Sequence, residues 1–297
     1  KSFDKILYSF SKIDKKEHLE EDMTLKSFKI NKLNKLNFKW GLLLYSDPSL
    51  LEIFDSMSQF GKKIEDIRNI SVSCGQGLNL TKDHLIDPKF ASHFNKKALI
   101  PIMTKKEGAP FELNKTFHHL VDKALITKEQ LQILKNNELN AFDKSKTSKL
   151  PPKLILPRGV SRHYCTFNAI NSYSSSAVDI YIVNKDEKTN NLVAKRLWIF
   201  LNSSLAWLIR EISGRKNLGG GMLKAEATDL KQFELYFDLN EQKCEKIFNK
   251  LRGKEAEKTL KEINNECHYE IDDFVFELLK LSETQKKYVR EKLKAVL

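Results

Sequence analysis

The chain has 297 residues, a formal net charge of +12 and a pI near 9.3, with 41% hydrophobic and 30% charged residues. That balance is globular, leaves room for one large domain or two ordinary ones, and favours a polyanionic partner: DNA, RNA or an anionic membrane surface. No stretch approaches the roughly 18 apolar residues of a membrane span, no signal-peptide pattern opens the chain, and the scattered Cys74, Cys165, Cys244 and Cys267 argue against a zinc ribbon or a disulfide framework and for a reducing cytoplasm.

The chain opens on Lys1, not Met, and is expected to be a processed or excised piece. Residues 1–60 read as a helical connector, with a helix entered from Asp47-Pro48: Asp47 suits the cap and Pro48 the first helical position. Residues 70–74 alternate at period two and read as a strand running into Gly75-Gln76-Gly77-Leu78-Asn79, where two glycines flanking one polar residue suggest a tight turn with positive φ and a close backbone approach. Residues 98–102 form another short strand, followed by Lys105-Lys106. The polar stretch 127–149 carries Leu131 and Leu134 on one possible helical face, and Pro151-Pro152 ends it.

Residues 153–157 read as a strand that leads into the basic loop Arg158-Gly159-Val160-Ser161-Arg162-His163. Residues 178–183 make the most convincing strand, rich in β-branched and aromatic side chains, with a turn expected at Asn190-Asn191. Residues 197–212 read as one long buried helix, ended by Gly214 and Gly219-Gly220-Gly221. Residues 233–237 suggest an edge strand, and from about 240 the chain reads as helical, with Ser282 and Gln285 as a capping box. The fold class expected is α+β: a twisted mixed or antiparallel sheet with packed helices over 61–239, plus a helical region over 240–297.

No P-loop, dinucleotide fingerprint, His-Glu-x-x-His or Gly-x-Ser-x-Gly elbow occurs, so no catalytic site is expected within the chain. His118-His119 reads as surface or turn, and Cys267-His268 with Cys244 has the wrong spacing for a zinc site. Three basic or glycine-bearing segments are more informative. Arg158, Arg162 and His163 can grip phosphates or guanine edges, with Ser161 among them and Tyr164 following; an ordinary solvated loop fits as well. Arg210, Arg215 and Lys216 lead into glycines, Gly220 among them, and then Lys224; bared backbone N–H groups there can lie against phosphates, or the run is a flexible linker. Gln76 or Asn79 can bond an adenine edge or a phosphate, or simply shape a hairpin turn. Lys105 and Lys106 complete the candidate DNA-binding set.

Four stretches in order resemble the C-terminal target-recognition region of adenine-specific DNA methyltransferases of restriction–modification systems, including the Type IIG enzymes. They are residues 67–79, with glycines closer together than in the family; residues 153–158 with Ser161-Arg162-His163-Tyr164; Leu201-Asn202-Ser203 running on to Gly219-Gly220-Gly221, Lys224 and Asp229-Leu230; and Glu270-Ile271-Asp272-Asp273-Phe274-Val275 with Leu281-Ser282-Glu283. The resemblance implies sequence-specific binding of double-stranded DNA by residues 61–239. The family's Asn/Asp-Pro-Pro-Tyr/Phe loop and its glycine-rich S-adenosylmethionine loop are missing from this sequence. The implied partner is therefore an upstream methyltransferase domain or a separate methylase subunit, which would hold the S-adenosylmethionine. No cofactor is expected in this chain, and no membrane. A stand-alone specificity subunit, an RNA-binding accessory protein and a basic structural adaptor are the competing readings.

Overall fold

The computed structural model describes residues 17–20, 23–26, 48–160, 162–214, 223–224 and 226–297. The chain divides into two compact units, Lys1–Tyr45 and Ser46–Leu297. In the first, strands β1 (Glu17–Glu20) and β2 (Met23–Lys26) pair antiparallel. In the second, helix α1 (Pro48–Phe60) starts with Pro48 as expected and buries Leu50, Ile53 and Met57. That helix belongs to the larger unit, and so do both segments expected on either side of residue 240.

The larger unit is α+β, with mixed sheets and a helical C-terminal region. Its main sheet has five strands in the order β4 (Ser71–Gln76), β12 (Ala177–Val183), β8 (Leu154–Pro157), β10 (Thr166–Asn168) and β6 (Glu112–Leu113). All neighbours run antiparallel except β10 and β6. β8 and β12 are buried on both faces, which is why Leu154-Ile155-Leu156 and Val178 to Ile182 are almost continuously apolar. A second sheet orders β11 (Tyr173–Ser174), β5 (Leu99–Met103) and β7 (His118–Val121). The His118-His119 pair therefore lies in a strand, not at a surface turn, and His118 is buried. β3 (Lys62–Lys63) pairs with β14 (Glu234–Tyr236) in a separate two-stranded ribbon, where an edge strand was expected. Helix α2 (Lys128–Asn136) carries Leu134 into the core.

The glycines at 75 and 77 do not make a turn. β4 runs straight through Gly75 and Gln76, opposite Asp179 and Val178, and among the described residues only Gly108 is a glycine with positive φ. Close approach is what they permit: Tyr181 lies over Gly75, and a Cβ on Gly77 would overlap the Ser174 hydroxyl.

The long helix expected over 197–212 is two helices, α3 (Glu187–Leu201) and α4 (Ser204–Ser213), bent by 70°. Asn202 breaks it. The buried Asn202 amide accepts from the Cys165 N–H at 2.8 Å and donates to the Cys165 carbonyl at 3.0 Å, as a strand partner would, and Ser203 then caps α4. The turn expected at Asn190-Asn191 is helical instead, because Asp186 caps α3 upstream with both carboxylate oxygens. Trp198 on α3 meets Phe111 at 5.9 Å and Phe248 at 5.3 Å between ring centroids, tying the sheet to α6 (Glu241–Leu251). Helices α7 (Glu266–Leu278) and α8 (Glu283–Val296) complete the layer, and the Ser282–Gln285 capping box opens α8 as expected. Among the described residues no single helix is long and apolar enough to cross a membrane.

Candidate nucleic-acid interface

β8 ends at Pro157, whose lack of an N–H and fixed φ release the chain from the sheet. The next residues form β9 (Gly159–Val160), which pairs antiparallel with β13 (Leu223–Lys224). Lys224, at the end of the second basic segment, therefore lies opposite Gly159 of the first, 65 residues away in sequence. Beside them opens a cleft of about 560 Å³. Thr104, Lys105 and Gly108 form one wall, Arg158, Arg162 and Tyr164 another, and Ser174 to Ala177 a third, over an apolar floor of Ile155, Leu156 and Pro157. Two walls hold residues in the left-handed region, Gly108 (φ 74°) and Ser176 (φ 56°). For Ser176 that is a strained conformation, of the kind that gathers at binding sites.

The nominated residues divide. Lys105 and Arg162 line the cleft; Lys105 is exposed, and Arg162 is half-buried and donates through Nη1 to the Ala256 carbonyl at 2.9 Å. Arg158 lines it too, held by Glu226: Nη2 donates to Oε1 at 2.8 Å, and Nε reaches both carboxylate oxygens. Gln76 Nε2 donates to the same carboxylate at 2.9 Å. Asn79 is exposed one residue beyond Leu78, which bridges to Ser175, but it does not line the cleft. Lys106 turns to a neighbouring groove of about 740 Å³, its ammonium 4.4 Å from the centre of the Phe117 ring. Lys224 is placed only through its backbone pairing, and Ser161, Arg215, Lys216 and Gly220 lie outside the described residues.

His163 corrects the surface reading. It is fully buried, stacked on Trp207 at 5.8 Å, with Nε2 2.7 Å from Glu211 Oε1 and its N–H donating to Thr259 Oγ1. Burial pushes its pKa down to about 4, against the opposing pull of Glu211. A DNA contact is closed to it. Arg210 is buried as well: Nη2 donates to the Pro157 carbonyl at 2.6 Å, Nε and Nη1 have no partner among the described residues, and burial lowers its pKa to about 10.

Sequence reasoning missed Glu226, Lys149 and Asp179. Lys149 donates to the carbonyls of Gln76 and Gly77 at 2.6 and 2.8 Å, anchoring the end of β4. Asp179 accepts from Ser174 Oγ at 2.6 Å and Tyr181 at 3.1 Å, and burial raises its pKa to about 6. Glu226 had one legible signal, the Glu226-x-x-Asp229 spacing of the capping box that opens the short helix α5 (Ala227–Leu230).

One arrangement has the residue types of a hydrolase and none of the access. Ser204 Oγ lies 2.8 Å from both His268 Nε2 and Asp272 Oδ2, yet all three residues are at most 1% exposed. Asp272 also accepts from the Ser204 N–H at 2.8 Å and from Arg290 Nε at 3.1 Å, so the carboxylate fastens α4 to α7 and α8. The thiols of Cys74 and Cys244 are equally quiet, pushed up to about 12 by burial. Among the described residues no cluster of three or more His, Cys, Asp or Glu could hold a metal ion. Comparison with protein-family models gives no match, and no curated protein matches the chain.

Proposed function

We propose that this chain binds double-stranded DNA and reads a short target sequence, as the recognition part of an adenine DNA methyltransferase of a restriction–modification system. Methyl transfer, with its S-adenosylmethionine, belongs to a catalytic part outside these residues, either an upstream domain of the same polypeptide or a separate methylase subunit. The observation that carries the reading is a cleft lined by Lys105, Arg158 and Arg162, with β9 at its edge paired to β13 so that Lys224 stands opposite Gly159. A net charge of +12 supplies the long-range attraction. Free cysteines throughout the described residues agree with a reducing cytoplasm, where such an enzyme would meet DNA. Lysines and arginines on phosphates would carry most of the affinity, and a few side chains at the cleft the specificity. A gel-shift titration of the chain with duplex DNA at several salt concentrations tests this. Binding that weakens steeply with salt supports the reading; no binding at low salt, or a flat salt profile, overturns it.

A further inference from the structure

Arg158, Glu226 and Gln76 come together from β4, the end of β8 and the start of α5. Glu226 is buried, whereas Arg158 stands at the cleft with its side chain 29% exposed. The carboxylate engages Arg158 side-on, through Nε and Nη2. The end-on fork, made of Nη1 and the outer N–H of Nη2, has no partner among the described residues and is fixed in direction by the grip on the other edge. We infer that Arg158 reads a guanine through O6 and N7, and that Glu226 is the positioning residue that aims it. This rests on the duplex-binding reading above.

The electrostatics separate a base reader from a phosphate clamp. A guanidinium in close contact with a carboxylate is nearly neutral as a pair, and Glu226 repels any phosphate that approaches Arg158. What survives is a rigid pair of donors, suited to two neutral acceptors on a base edge. Among the described residues no carboxylate pairs with Lys105 or Arg162, which leaves their charge available to phosphate. Gln76 leans on the same carboxylate, so loss of Glu226 also frees its amide.

The test uses the full chain. A pool of duplexes randomised over the site is selected on the protein, and affinities for an enriched and a random duplex are compared at fixed salt. The wild type is expected to enrich a motif containing a G·C pair. Arg158→Ala should lose preference at one such position by about tenfold, with less than about twofold loss on random duplex. Glu226→Gln, which keeps the shape and removes the charge, should lower discrimination while raising affinity for random DNA. A merely structural role for Glu226 would not give that opposed pair of changes. Thermal melts of both variants confirm that they fold. Equal losses by Arg158→Ala on both duplexes, or an unchanged motif, overturn the inference and leave DNA binding standing. Failure of the wild type to bind any duplex removes both.

Discussion

Two regions of this protein concentrate charged and polar side chains, and they are built in opposite ways. Around Ser204, His268, Asp272 and Arg290, the groups at the centre are sealed and pair with one another across three helices. At the cleft, Lys105, Arg158 and Arg162 stand at least partly in solvent and leave donors over. Residue type therefore says little about role. A serine, a histidine and an aspartate within hydrogen-bond reach are a fastening when water and substrate are excluded. A basic loop becomes a candidate interface only where it keeps capacity to bond something else.

The contrast can be broken most severely on the sealed side. Asp272→Ala would strand the Ser204 N–H and the Arg290 guanidinium without their acceptor, and a loss of about 3–5 kcal/mol is expected in urea unfolding. A loss below about 1 kcal/mol would show that the pocket admits water and is not sealed. Asn202→Ala should cost about 2–3 kcal/mol by the same assay, since the Cys165 N–H and carbonyl lose their partner at the helix break.

Protonation acts on the buried groups next in size. His163 has its folded pKa pushed to about 4, below its ordinary 6.5, so the unfolded chain binds more protons between those values. The stability it contributes is present above pH 6.5 and is lost as pH falls toward 4. Buried His268, also shifted downward, acts in the same direction. Asp179, raised from 3.8 to about 6, acts oppositely: its contribution is fully present below 3.8 and fades as pH rises through 6. His163→Gln should therefore flatten the decline of melting temperature between pH 6.5 and 4, and an unaltered slope would count against a neutral buried imidazole.

The smallest effect belongs to the open side. Lys105→Ala should leave the melting temperature unchanged and lower duplex affinity a few-fold, reducing the slope of log affinity against log salt by about 1. An unchanged slope would remove Lys105 from phosphate contact.

Local pattern carried much of the fold. Period-two alternation located β4, a β-branched run located β12, proline marked the start of α1 and the end of β8, and Ser282 with Gln285 announced α8. The misreadings share a cause. Gly75-Gln76-Gly77 looks like a turn by composition, but Tyr181 and Ser174 from distant strands need the space. Residues 197–212 look like one helix by hydropathy, but Asn202 is committed to Cys165, 37 residues away in the chain. At the cleft, Arg158 was legible as a candidate contact because it is basic and follows β8, whereas Gln76, expected in a turn, lies within β4. Glu226 was not legible as a contact, because an acidic residue carries no sign of which cation it will meet.

By itself, then, the sequence determined the α+β class, the strands β4, β8 and β12, the starts of α1 and α8, and a net charge of +12, since backbone propensity, periodicity and net charge are local or additive properties. Tertiary structure alone decided that His163 is shut away, that β9 and β13 lie side by side, and that one carboxylate holds both Arg158 and Gln76. Those outcomes depend on burial and on contacts between residues as many as 150 positions apart, and no local window contains the free energies that choose them.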